Sequence, residues 1–375
     1  MKIISSRIAL GIALCLPLLG NALPGASPTW ADDQQASTTA TTHATTKTQQ
    51  GWRIPARILP PPADASEALR KAIAAMPAPD IDAVLKATPG NREQWLALIR
   101  QNDEQVKKGV ERLQRKYGVS IEEGSIAGVR VFTVTPRKIN DENRDRLFLH
   151  VHGGAYILNG GRAALSEPIL YAAHLGIRVI TIDYRMPPDH PFPAALEDAS
   201  AVYAALLKQH APEKILMGGT SAGAGLVLAT VLEMKKKGTP LPGALFLGTP
   251  WADLTKTGDS FFINEGIDHT LVTYDGVLEG AARLYANGHD LRDARLSPIY
   301  GDLAGLPPVF LVTGTRDLFL SIVARLHRKL RKAGVAADLH VVEGFAHGDY
   351  IGLSDTPEAR EIYDELHTFI MRTLK

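Results

Sequence analysis

Residues 219–223 read Gly219-Thr220-Ser221-Ala222-Gly223, between the apolar run Lys214-Ile215-Leu216-Met217-Gly218 and an Ala/Leu/Val-rich stretch that continues to Glu233. A short apolar run, a glycine-flanked turn and a helical pattern together predict a strand that reverses sharply into a helix. Such a turn brings backbones together where a Cβ would collide, which is the mechanical reason for glycine on both sides of the serine. Taken alone, the five positions also fit a plain glycine-rich strand-to-helix turn. In a strand–turn–helix context they lift the serine hydroxyl above the edge of a sheet, where it can act as a nucleophile.

The rest of the chain supplies that sheet. Short β-branched or apolar runs at 129–134, 147–151, 179–182, 215–217, 244–247, 309–312 and 339–342 alternate with helical patterns. Continuous apolar runs separated by helices predict an α/β fold with a mostly parallel central sheet covered on both faces. The segment 251–308 is long for a crossover in such a unit, which predicts an insertion that shapes a cap and a substrate site. Ahead of the sheet, in region 51–118, two helices are predicted at 65–76 and 92–117. The second carries Trp95, Leu98, Ile99, Val106, Val110 and Leu113 near helical spacing. The catalytic domain is expected over 119–375.

Composition narrows the function. With 45% hydrophobic and 22% charged residues and a net charge of +1, the 375-residue chain has no electrostatic bias toward nucleic acid or an anionic membrane. The basic run at 325–332 reads as a solvated helix face. Lys2 and Arg7, an apolar stretch from Ile8 to Leu19 and small residues before Ala31 form the pattern of a secretory signal over 1–31, cleaved near Ala31. The alternative is an uncleaved anchor, although the apolar stretch is short for a membrane span. The only cysteine, Cys15, lies inside that segment behind Leu14, so lipidation is not expected and the mature chain has no thiol for disulfides. Residues 32–50, almost all Ala, Ser, Thr and Gln, read as a disordered linker. A periplasmic or secreted protein is expected.

A serine hydroxyl is nearly inert at neutral pH. It needs a base, a carboxylate to orient that base, and donors for the oxyanion that forms on the substrate. Asp317 lies just beyond the run 309–312, and His347 lies in the loop after Val341-Val342, with Gly348 behind it. Both are expected at the same sheet edge as Ser221. Alone, Asp317 could be a helix N-cap and His347 a solvated loop residue. His327 on the basic helix, His340 within a strand and His367 in the terminal helix fit less well. His152-Gly153-Gly154-Ala155 follows the run ending at Val151, and its glycines let backbone N–H groups turn toward one point. With the N–H of Ala222 these would form an oxyanion hole. His150 and His152 are a weaker candidate pair for a metal, and no metal is expected because Gly-Gly-Ala accounts for the loop better. No Gly-Lys-Ser/Thr or G-x-G-x-x-G motif follows the early strands, so no nucleotide cofactor is expected.

On these motifs the chain resembles the α/β-hydrolases of the hormone-sensitive lipase type, which include many bacterial carboxylesterases. The resemblance rests on His152 to Ala155, on Asp183-Tyr184-Arg185-Met186-Pro187-Pro188 followed by Pro191-Phe192-Pro193-Ala194-Ala195, on Gly219 to Gly223, and on the surroundings of Asp317 and His347. It looks like the subgroup whose elbow reads Gly-Thr-Ser-Ala-Gly. The resemblance implies an α/β-hydrolase fold with a helical cap and a serine carboxylesterase acting on small to medium acyl esters. It implies Ser221 as nucleophile, His347 as base and acid, Asp317 as its orienting carboxylate, and Gly153, Gly154 and Ala222 as oxyanion donors. Ala155 departs from the family's third glycine and adds a methyl beside the acyl site; Ala224 departs from a further glycine after the elbow. Asp183, Tyr184 and Arg185 read as structural, with Glu197 or Asp198 as the arginine's partner. Tyr156, Trp251, Phe261 and Phe262 are candidates to line the substrate pocket or, equally, to pack the core. A lactonase or amidase with the same triad and a non-catalytic hydrolase-fold binding protein are the alternative functions.

Overall fold

Among the described residues eight strands form one sheet: β1 (Ser120–Ile126), β2 (Val129–Thr135), β3 (Leu147–Val151), β4 (Arg178–Ile182), β5 (Ile215–Thr220), β6 (Ala244–Gly248), β7 (Val309–Gly314) and β8 (Ala337–Val342). They lie in the order β1-β2-β4-β3-β5-β6-β7-β8. β1 pairs with β2 and β2 with β4 antiparallel; every later pair is parallel. The computed structural model describes residues 51–375 apart from Arg53. The expected signal and linker (1–31 and 32–50) lie outside the described residues. The described residues between 51 and 60 carry no helix or strand. Everything described below belongs to the unit from Pro61 to Lys375.

The helices are α1 (Glu67–Ala75), α2 (Ile81–Lys86), α3 (Arg92–Tyr117), α4 (Ser166–Leu175), α5 (Ala194–Leu206), α6 (Ala222–Lys236), α7 (Ser260–Ile263), α8 (Val277–Ala286), α9 (Leu320–Lys332), α10 (Asp349–Gly352) and α11 (Pro357–Thr373). The strands β3, β5, β6 and β7 are buried at every position. This is why they read as unbroken apolar runs: helices cover both faces, so alternation disappears. Leu147, Leu149 and Val151 enter one core layer, and Phe148 enters the layer on the opposite face.

Two elements escape a reading by hydrophobic pattern. β1, with sequence SIEEGSI, is an exposed edge strand held by β2 alone, so it presents no buried face to announce it. α2 has six residues and none fully buried. By contrast α3 has the bounds that its sequence predicts. Asn91 caps its first turn by accepting from the Gln94 N–H at 3.0 Å, and Gly118 ends it in the left-handed region at φ +61°. The 251–308 connection carries α7 and α8, and the Trp95 ring of α3 lies over Gly280 of α8, where a Cβ would meet it at 2.8 Å.

The strand order places the site. From β3 the chain goes to β4 on one side, and β5 then pairs on the other. A crevice opens at such a reversal, at the carboxyl ends of the strands. The loop after β3 and the turn after β5 flank it.

Candidate active site

Ser221 occupies the tip of the turn between β5 and α6 at φ +59° and ψ −123°, a backbone conformation that is strained for any residue with a Cβ. Its neighbours explain how the turn survives. A Cβ on Gly219 or on Gly223 would sit 2.1 Å from the Val151 carbonyl oxygen, so only glycine fits on either side. The strained residue is then pinned. Its N–H donates to Gly248 O at 2.8 Å, and its carbonyl accepts from Gly225 N–H at 3.0 Å and Trp251 N–H at 2.9 Å. The side chain is only 8% exposed.

Asp317 and His347 are brought into contact. His347 Nδ1 lies 3.1 Å from Asp317 Oδ1, and both side chains are buried. Every acceptor position on Asp317 is engaged. Oδ1 also accepts from the Phe319 N–H at 2.8 Å, while Oδ2 accepts from the Thr313 hydroxyl at 2.7 Å and from the Thr249 hydroxyl. Burial pushes the Asp317 carboxyl up. The charge and hydrogen bond of His347 and the donors from Thr249 and Phe319 outweigh it and hold the carboxyl below its ordinary value. For His347, burial disfavours the charged ring. Asp317, by charge and hydrogen bond, with Asp268 and Asp349 beyond it, more than reverses this, so its pKa is raised. Its second nitrogen, Nε2, is buried and hydrogen-bonds to nothing among the described residues. That nitrogen is the one a proton acceptor would use. One contact ties the serine turn to the histidine segment: Thr220 Oγ1 lies 2.6 Å from the Tyr350 hydroxyl.

The loop after β3 departs from expectation at one donor. The Gly153 N–H, expected to face the oxyanion, donates to Glu167 Oε1 at 3.4 Å. Gly153 is pressed onto the serine turn, with a Cβ position 2.8 Å from Thr220 O and 3.4 Å from Ser221 Cβ. Gly154, Ala155 and Tyr156 then follow with φ of +110°, +54° and +64°. No hydrogen bond among the described residues uses the N–H of Gly154, Ala155 or Ala222. The pair of free donors on this loop is therefore Gly154 and Ala155, one residue further along than the expected Gly153 and Gly154. Burial raises the Glu167 carboxyl, and the His150 hydrogen bond and charge, with donors from Thr220 and Gly153, bring it below its usual range. His150 Nε2 is 3.0 Å from Glu167 and its Nδ1 is 2.8 Å from Thr181 Oγ1, so both nitrogens are already taken.

Comparison with known proteins agrees with this architecture. A sequence model of the α/β-hydrolase fold matches residues 148–351. The crystal structure of esterase E25 is 49% identical, superposes with a TM-score of 0.85 and covers 87% of this chain and 99% of its own. An acetyl-hydrolase of Streptomyces hygroscopicus is 39% identical over 192 residues, which are 50% of this chain and 63% of that protein. An esterase of Acinetobacter venetianus is 31% identical over 228 residues, 60% of this chain and 74% of its own. The chain is an α/β-hydrolase of the hormone-sensitive lipase and carboxylesterase family.

Within this hydrolase the Asp183-Tyr184-Arg185 segment braces the loop after β3. The Tyr184 hydroxyl donates to His152 O at 3.0 Å, and its ring stacks on the His152 imidazole at 4.2 Å. Asp183 pairs with Arg130 and accepts from the Gly161 N–H at 2.8 Å. Both expected carboxylates reach Arg185, Asp198 at 2.8 Å and Glu197 at 3.4 Å. The four aromatic residues divide. Tyr156, Trp251 and Phe261 are fully buried: Tyr156 stacks on Tyr285 at 3.9 Å, Trp251 stacks on Phe319 at 5.5 Å, and Phe261 meets Phe319 edge-on at 6.0 Å. Phe319 in turn packs edge-on against His347 at 4.8 Å. Phe262 does not join them. It is 60% exposed, under the Lys256 ammonium, because successive residues of the single-turn helix α7 point about 100° apart and Phe261 takes the inward direction.

Sequence reasoning missed Thr249, Asp268 and Glu167. Thr249 follows β6 at the carboxyl edge, the same placement that pointed to Asp317, and could have been found by that rule. Asp268 lies in the 251–308 connection, wholly buried, accepting from the N–H groups of Thr270, Leu271 and Leu318 at 2.9, 3.0 and 2.8 Å. Burial, then the charge of Asp317, lifts its carboxyl to about 6. No local pattern marks either carboxylate.

Proposed function

We propose that this ester hydrolase is a serine carboxylesterase that works through an acyl-enzyme. Ser221 Oγ attacks the ester carbonyl while His347 Nε2 takes its proton, and Asp317 holds the imidazole with its proton on Nδ1. The tetrahedral oxyanion is received by the N–H groups of Gly154, Ala155 and Ala222, the last at the positive end of α6. His347 then protonates the leaving alcohol, and a water molecule activated by the same nitrogen releases the acid. The observation that carries this reading is the buried His347–Asp317 pair with Nε2 left without a partner, at the edge where a strained serine is held. Small to medium acyl chains fit best, since the buried Phe319 ring, backed by Trp251 and Phe261, packs against His347 and Ala155 adds a methyl to the oxyanion loop. The same proposal has the protein exported from the cytoplasm by residues 1–31.

The test is hydrolysis of p-nitrophenyl esters across acyl lengths by the mature protein and by Ser221→Ala. Loss of at least about a thousandfold in kcat is expected for the alanine variant, since an isolated hydroxyl has no substitute. A variant that keeps its activity would remove Ser221 from the mechanism.

A further inference from the structure

Thr249 stands where β6 ends, between the strand that carries Ser221 and the strand that leads to Asp317. Its N–H donates to Val312 O of β7 at 2.7 Å, and the residue before it, Gly248, accepts the Ser221 N–H at 2.8 Å. The side chain is 1% exposed, and its single hydroxyl faces two partners: the Oδ2 of Asp317 and, at 2.9 Å, Nδ1 of His347. The other carboxylate oxygen, Oδ1, bonds the same Nδ1 at 3.1 Å. Thr249, Asp317 and His347 therefore close a triangle around one imidazole nitrogen.

The chemistry of that triangle is directional. A hydroxyl has one proton and lone pairs to accept with, whereas an ionised carboxylate only accepts. The hydroxyl proton is committed to Oδ2, so the face of Oγ1 toward the imidazole can only accept. Nδ1 must then carry its proton, and Nε2 must be the free base. The backbone gives independent support. Thr249 adopts φ +38°, and positive φ is a genuine outlier for a β-branched residue. Glycine would relieve the strain, yet glycine has no hydroxyl. Strain of this kind persists where surrounding structure over-determines it, and it concentrates at functional sites.

We propose that Thr249 is a positioning residue of the catalytic apparatus: its hydroxyl joins carboxylate to imidazole, fixes the Nδ1–H tautomer of His347 and keeps the ring in register with Ser221. The inference rests on the Ser221–His347–Asp317 reading and adds a fourth side chain to it. Thr249 touches no substrate and acts only through His347 and Asp317. The charged groups around His347 are Asp317, Asp268 and Asp349, and the hydroxyl lies against the first of them.

Three variants test it, measured beside Ser221→Ala. Thr249→Val keeps the branched shape and the strain and deletes only the hydroxyl; kcat falls about 10- to 100-fold with KM little changed, the cost of one hydrogen bond to a charged group. Thr249→Ser recovers most of the turnover that valine loses. If Thr249→Val retains kcat within about twofold of wild type, or serine is as impaired as valine, the proposal is wrong. If the valine variant does not fold, Thr249→Ala against Thr249→Ser decides: equal kcat overturns the proposal, and a serine advantage of about tenfold or more supports it. Activity that survives in Ser221→Ala would instead bring down the triad reading on which the proposal stands.

Discussion

At the scale of single residues, this site is governed by which hydrogen-bonding positions are already occupied. All the acceptor capacity of Asp317 is used, by His347, Phe319, Thr313 and Thr249, which is how a fully buried carboxylate stays ionised. The histidine beside it then titrates with a raised pKa. In the proposed mechanism His347 acts as a neutral base, so kcat/KM is expected to fall as pH drops through a midpoint above the ordinary histidine value of about 6.5. A pH-rate profile on a soluble ester checks this, and an acid limb centred at or below the ordinary value would contradict it. The linkage runs the opposite way for stability. Because the folded pKa is raised, the ion pair's contribution is full below the unfolded value and is lost as pH rises through the folded one. On the proposed mechanism, activity is therefore expected to be highest where this pair contributes least to stability.

At the scale of elements, the strands needed no side-chain geometry to be found, since β3, β5, β6 and β7 are buried on both faces and read as continuous apolar runs. The helices ahead of the sheet are a different case. α3 has its ends written in its caps, but where it docks is a matter of tertiary packing: Trp95, 6% exposed, lies over Gly280 of α8, and Val110 and Leu113 enter the core layer of Phe148 with Leu165, Ile169 and Leu170. Gly280 is open because the ring needs the space. Trp95→Ala is expected to cost about 3–5 kcal/mol, as for other large aromatic truncations in a core. Urea unfolding measures it, and a change below about 1 kcal/mol would mean that α3 is held elsewhere. β1 shows the limit of pattern reading. It is an edge strand with polar residues on both faces, so only its backbone partner β2 identifies it as a strand.

At the scale of the whole molecule, Ser221, Thr249, Asp317 and His347 lie up to 126 positions apart in the chain, and the parallel order of β5 to β8 delivers them to one edge. Export is the remaining whole-chain expectation. If residues 1–31 are removed on secretion, intact mass spectrometry of protein recovered outside the cytoplasm should give an N-terminus at Asp32; protein found only within cells with Met1 in place would reject it. The amino-acid sequence by itself determined the strand–turn–helix around Ser221, the run of buried strands and the placement of Asp317 and His347 in loops at strand ends. Each follows from local rules: glycine where a Cβ would collide, apolar runs where both faces are covered, and loops at strand ends. The tertiary structure alone decided that Gly153 gives its N–H to Glu167, that Phe262 faces solvent, and that a threonine hydroxyl sits between carboxylate and imidazole. Those outcomes depend on atoms brought within about 3 Å from segments far apart in the chain, and hydrogen bonds are made or lost over distances that sequence spacing does not encode.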